Sequence, residues 1–369
     1  MTKNISSIPN KPKKKILAFD YLRAFIIILV VLHHSFLAYH TEFYYNDEFL
    51  LADIVPVTNM LNPIVGESKW DGANLIIKFN DQFFMSLLFF ISGFFIWKSY
   101  KRKGAKKFFK ERFMRLGLPF LIGVPIITPL AYYSAHMQWG LYNNNPLNYF
   151  EFWLEYFKAG FLTAGPLWFL WVLLAFNCIA VLFFRPSLET KVKSWKIFNR
   201  PILFFLSLIF ISTLTWKGIG PINIQIDRLL HYFSCFFIGS LVGICGLENT
   251  IFKKKSKLTT YWWIFLIVGL LSLFTIDFFT ISCAALTFAM IGLFLQYTDK
   301  NIGIMDNLNQ NAFGIYIFHQ VFTAWLQYFL LEVEVSAILK GIIVFVAAFL
   351  LSWSVSSLVR KIPGATKII

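Results

Sequence analysis

Residues 16–39 read ILAFDYLRAFIIILVVLHHSFLAY. An α-helix of about 20 residues spans the ~30 Å hydrocarbon core of a bilayer, and this run is long enough. It is apolar except for a few side chains that lipid would not tolerate unaccompanied: Asp20, Arg23, His33 and His34. Lys11, Lys13, Lys14 and Lys15 precede it, so the opening imitates a signal peptide. The ionisable residues inside the run, and the lack of a small-residue cleavage site, instead predict a retained first membrane span.

The rest of the chain is of the same kind. Of 369 residues, 57% belong to the AVILMFWYC set and 14% are charged. Soluble domains carry about 45–50% apolar and about 25% charged residues. An aqueous core at this length cannot hide the excess. That excludes a soluble domain, a disulfide scaffold and a disordered chain. Ten stretches reach membrane-spanning character: 16–39, 81–98, 116–138, 166–184, 201–216, 228–247, 259–276, 279–297, 312–332 and 337–359. The seventh and eighth are separated only by a turn around Asp277. The expected fold is an all-α integral membrane protein of about ten transmembrane helices. It comprises a basic tail (1–15), one membrane domain (16–360) and a short tail (361–369).

Charge gives the direction. With the N-terminus inside, 27 basic residues fall in inner segments, 6 fall outside, and Arg23 lies within the first span. Cytoplasmic loops accumulate Lys and Arg, so both termini are expected in the cytoplasm. The same bias accounts for the net charge of +15 without nucleic acid as a partner. Membrane lipid is the expected surroundings. Cys178, Cys235, Cys245 and Cys283 lie in apolar stretches without CxxC spacing and read as packing residues.

Function concentrates in the first span. Arg23 and His34 are 11 residues apart, which at ~100° per residue is about 20° beyond three turns. Both therefore project from one face, about 16 Å apart along the axis. His33 points about 80° away from Arg23, and adjacent histidines cannot face one metal ion from a regular helix; no metal is expected. Asp20 lies one turn before Arg23 and is placed to pair with it. One reading has Asp20 and Arg23 snorkelling at the inner interface with His34 in a helix contact. The other takes an Arg and a His inside a membrane as functional.

The Arg-x10-His spacing of Arg23 and His34 resembles the signature of the acyltransferase-3 family of bacterial integral membrane acyltransferases. Further segments match in the family's order: Asn80–Met85 leading into Phe89–Phe94, Arg112–Pro119, Gly165–Leu170 and Phe313–His319. The runs Met85–Gly93 and Pro166–Leu170 most resemble the branch that succinylates glucans. The resemblance implies transfer of an acetyl or succinyl group from cytoplasmic acyl-CoA to a sugar hydroxyl of an envelope or exported glycan. It places the protein in the bacterial cytoplasmic (inner) membrane. Acyl-CoA is then a donor substrate rather than a resident cofactor, and a carbohydrate is the acceptor. Arg23 and His34 carry over from the first-helix motif, and Arg112 and Arg115 from the Arg-x-x-Arg segment.

A hydroxyl acceptor needs a base close to neutrality, and histidine supplies one. His34 is the expected general base, with direct attack on the thioester. Arg23 is placed to hold the phosphate end of the donor arm or to stabilise charge on the thioester oxygen. Arg112 and Arg115, three apart before Pro119, suit bidentate phosphate binding. Some relatives orient the histidine with an acidic residue in a late helix, but Glu332 and Glu334 lie at a helix end and do not fill that place.

Other residues read less sharply. His319 lines an acceptor path or bonds across helices. Trp168 is packing or a lid beside the site. Ser92-Gly93 permits close helix packing. His231, after Asp227-Arg228, is expected in an interfacial ion pair, and His40 and His136 in loops or at the interface. The competing function is a polysaccharide transporter or flippase without acyl transfer. Broken helices and inverted repeats would favour it, and no repeat is visible.

Overall fold

Each of the ten apolar stretches lies on a helix. The computed structural model describes residues 16–41, 64–143, 146–158, 164–184, 186–217, 228–274 and 279–369, and these contain helices and no strand. The tail at 1–15, most of the first outer loop and the turn around Asp277 fall outside the described residues. The helices are α1 (Leu17–Phe36), α2 (Asp71–Lys103), α3 (Ala105–Arg112), α4 (Leu118–Asn143), α5 (Tyr149–Lys158), α6 (Trp168–Phe183) and α7 (Pro186–Ser194). They continue as α8 (Pro201–Lys217), α9 (Leu229–Cys245), α10 (Trp262–Ser272), α11 (Phe279–Tyr297), α12 (Gly303–Phe329) and α13 (Ala337–Val359). Among the described residues six helices are long and apolar enough to cross a membrane, so the protein is a multi-pass membrane protein. Helices α8, α9 and α10 are shorter apolar segments.

Two boundaries differ from expectation. Helix α2 starts at Asp71 rather than near 81, so the ten residues before the expected span are helical. Helix α12 starts at Gly303 rather than near 312. Its first turns are polar, which disguises them as loop. Those side chains are satisfied by neighbours instead of water: Tyr21 Oη donates to Asp306 (3.0 Å), Arg23 to Asn309 (3.3 Å) and Ser356 Oγ to Asn311 (2.9 Å).

Helix α1 is the centre of the bundle. It packs against α2, α11, α12 and α13, and 72% of its apolar window is buried, against 22% for the peripheral α13. The closest helix pair is α2 with α9, and glycine makes that approach possible. A Cβ at Gly93, Gly239 or Gly243 would sit 1.9–2.1 Å from a carbonyl oxygen of the facing helix. Gly93 thus acts as expected of Ser92-Gly93, admitting backbone against backbone.

Between α3 and α4 the chain makes a five-residue π turn, Phe113–Gly117, in which Leu118 N–H bonds Phe113 O five residues back. Pro119 follows and has no N–H to give to the Arg115 carbonyl, so the regular ladder is broken there in any case. Single π turns inside helices recur at functional sites. Here the turn lies between Arg112 and Pro119. Pro125 and Pro129 lie within the continuous helix α4.

Candidate active site

Helices α1 and α12 run parallel, and their contact orders the site. Tyr21 meets Asp306, Arg23 meets Asn309, the His34 ring lies 5.0 Å from the His319 ring, and Gln327 Nε2 donates to His34 O (2.8 Å) and Ser35 O (3.2 Å). Eleven residues separate Arg23 from His34 and ten separate Asn309 from His319, so the two helices stay in register across the contact. Arg23 and His34 therefore do share one face of α1, the face toward α12. His33 turns the other way, toward α2, with its ring 5.3 Å from Phe84 and its Nε2 4.0 Å from Asp81.

The two ends of this face differ in chemistry. At the N-terminal end, Arg23 donates to Asp20 (2.9 Å) and its side chain remains 43% exposed. It opens into a cleft of about 620 Å³ whose walls also include Lys98, Arg102, Lys103, Arg112 and Arg115. Six cations there face two carboxylates, Asp20 and Glu111. A second, wider trough of about 1650 Å³ shares Arg102, Lys103, Glu111 and Arg115 and adds Lys106, Lys107, Lys110 and Lys367. Such a surplus of fixed positive charge in a recess draws in polyanions. The three arginines singled out in the sequence thus line one cleft, although they come from two distant segments. Arg112 also stacks over Phe108 (5.3 Å), which fixes its stem.

At the other end, His34 is partly exposed and His319 is fully buried. His319 Nδ1 lies 2.7 Å from Tyr316 O, and the Tyr316 hydroxyl donates to Pro166 O. The Gly165–Leu170 and Phe313–His319 segments, separate in sequence, meet through the Tyr316–Pro166 bond. Trp168 is not beside the histidines. It is half-buried and stacks on Tyr232 (5.8 Å) near Phe89 (6.2 Å). Glu332 and Glu334 are exposed beyond the end of α12.

Two other histidines are placed differently from expectation. His231 is buried, not interfacial, with Nε2 3.0 Å from Ser86 Oγ and within 3.7 Å of the Cys235 and Cys283 sulfurs. The glycine-mediated approach of α2 and α9 draws it inside. His136 is buried within α4, where its Nε2 accepts from Leu147 N–H (2.8 Å). Asn309 and Gln327, which fasten α12 to α1, were not singled out in the sequence. For Gln327 a signal existed: Gln320, Thr323 and Gln327 recur at i, i+3 and i+7 on one face of an otherwise apolar span.

The family model for the acyltransferase domain (acyltransferase-3) matches residues 16–357, and the chain belongs to that family. Among curated proteins it is similar to glucans biosynthesis protein C of Escherichia coli O17:K52:H18 (strain UMN026 / ExPEC), at 26% identity over 262 residues, 67% of this chain and 63% of that protein. It is equally similar to the protein of the same name from Escherichia coli O1:K1 / APEC, 26% identical over 266 residues, 68% of this chain and 64% of the relative. The chain thus spans somewhat less than two thirds of the length of these relatives. No solved structure matches.

Proposed function

We propose that the protein is a membrane O-acyltransferase that moves an acetyl or succinyl group from cytoplasmic acyl-CoA to a hydroxyl of an envelope or exported glycan. The observation that carries this reading is the single face of α1 with a cationic cleft at one end and paired imidazoles at the other, Arg23 and His34 being its fixed points. The phosphates of the donor suit Arg112, Arg115 and Arg23, since guanidinium groups bind phosphate in fork geometry and keep their charge. An extended pantetheine arm is of the same order as the ~16 Å between Arg23 and His34. His34 then removes the acceptor hydroxyl's proton while the oxygen forms the new C–O bond. The thioester C–S bond breaks, and the proton ends on the CoA sulfur. Asp20 holds Arg23 in the cleft, and His319 flanks the acceptor side.

The wider setting belongs to the same proposal: ten spans, both termini cytoplasmic, and residence in the bacterial inner membrane. The names of the Escherichia coli relatives support a glucan-type acceptor. The deciding experiment incubates purified protein with acetyl-CoA or succinyl-CoA and a glucan and follows CoA release and glycan mass. Acyl transfer that disappears in His34→Ala supports the reading. Glycan movement across proteoliposomes without CoA release, in wild type and variant alike, would replace it with a transporter.

A further inference from the structure

A base in the position of His34 needs its second ring nitrogen held, so that one tautomer faces the substrate and the imidazolium is stabilised when it forms. A carboxylate commonly does this. Here Glu332 and Glu334 face away, and the group against His34 is a second imidazole, 5.0 Å from it between ring centres.

The state of that second ring follows from its surroundings. His319 Nδ1 lies 2.7 Å from the Tyr316 carbonyl, which can only accept. In the neutral ring the proton therefore sits on Nδ1, and Nε2 carries a lone pair. Among the described residues that Nε2 has no protein hydrogen-bond partner, and neither has His34 Nδ1. Both atoms are buried, and buried polar atoms left without partners are rare. The two nitrogens are not hydrogen-bonded to each other in this structure, but ring centres 5.0 Å apart bring them within bonding range once the rings turn toward each other, so one ring is locked as an acceptor beside another whose nitrogen is unclaimed. Gln327 holds the backbone at the same point, through the carbonyls of His34 and Ser35.

We infer that His319 is the positioning partner of His34: its Nε2 lone pair, fixed by the Tyr316 carbonyl, accepts from His34 Nδ1–H and leaves His34 Nε2 to take the acceptor's proton. His319 does the work of the triad carboxylate without a net charge, which suits a site inside a membrane, where a buried carboxylate costs more than a neutral ring. The proton balance of the transfer is unchanged, since His319 keeps its own proton and lends only a lone pair. This rests on the acyltransferase reading above.

The test pairs two variants. Asparagine at 319 can still donate to the Tyr316 carbonyl but has nothing in the place of Nε2, whereas glutamine can place an acceptor oxygen there. His319→Asn is expected to lower kcat about 100-fold with the KM for acyl-CoA unchanged, and His319→Gln to recover at least about tenfold of that loss. Equal losses in the two variants, or none in His319→Asn, would overturn the partner role. In the wild-type protein labelled with carbonyl-13C tyrosine and 15N histidine, solid-state NMR is expected to show Tyr316 C=O against a protonated Nδ1 and a bare Nε2. A protonated Nε2 there overturns the inference even if neither variant folds. Loss of turnover in His34→Ala with normal turnover in His319→Asn would remove only this inference. Normal turnover in His34→Ala would remove the acyltransfer mechanism beneath it.

Discussion

The two ends of α1 are built on opposite electrostatic plans. Around Arg23 the protein gathers six cations in an open cleft and leaves them partly wet, so that an incoming anion meets charge without the protein having desolvated it. Around His34 it gathers imidazole rings and an amide. Charge that stays solvated is cheap to maintain and suits recognition. Uncharged imidazoles in a buried setting suit proton transfer, where the charge appears only during the reaction. One helix carries both because Arg23 and His34 sit on the same stripe, and α12 runs parallel to it with a matching partner at each level.

If that division holds, the two ends should fail in different ways. The largest effect is expected at the histidine end. His34→Ala should cut acyl transfer by about 10²–10⁴-fold while leaving CoA binding intact, measured by thioester turnover and by calorimetry on the same preparation. A parallel loss of CoA affinity would merge the two regions into one. Next comes the cleft. Arg112→Ala and Arg115→Ala should each weaken donor binding roughly 10- to 100-fold, the worth of a charge-assisted hydrogen bond, with kcat little changed. Donor affinity should also fall as ionic strength rises, because the cleft is open to screening ions. The turnover of an already bound donor should not respond.

Much of this contrast was legible in the sequence, for definite reasons. The Arg23–His34 stripe needs only the 100° step of a helix, whereas its facing toward α12 is a tertiary contact. The separation of His33 from His34 is equally local. The convergence of Arg112 and Arg115 on Arg23 was legible only through the order of matching segments, since no periodicity links residues so far apart. What escaped the sequence depends on tertiary contact. The polar first turns of α12 look like loop until Tyr21, Arg23 and Ser356 are seen to satisfy them. His231 looks interfacial because Asp227 and Arg228 precede it, yet backbone contact at Gly93 and Gly239 draws that turn into the core. Trp168 reads as a lid beside the site in the motif order, and only packing shows it stacked on Tyr232.

A smaller effect tests how the two motifs on the histidine side are joined. Tyr316→Phe removes the hydroxyl that bonds Pro166 O but keeps the backbone carbonyl that fixes His319. A single neutral hydrogen bond is worth about 1 kcal/mol, so kcat should drop by no more than about tenfold, with donor affinity unchanged. A loss as large as that of His34→Ala would mean that the Gly165–Leu167 turn takes part in the chemistry rather than buttressing α12.

The smallest expected effect lies at Lys69, between α1 and α2. Lys69 lies there 3.4 Å from the Ala38 carbonyl, and burial pushes its ammonium down from 10.5 to about 8. Burial penalises the charged form, so between about pH 8 and 10.5 the folded protein holds fewer protons than the unfolded chain. By linkage, stability then rises with pH across that window, and below it the folded state bears the full cost of the buried charge. Thermal unfolding in detergent, compared between wild type and Lys69→Met, should show the wild type gaining on the variant from pH 8 upward. The same substitution should not touch donor affinity, because no cleft cation is within its reach. A change in CoA binding in Lys69→Met would show that the two ends of α1 communicate, and their independence would have to be given up.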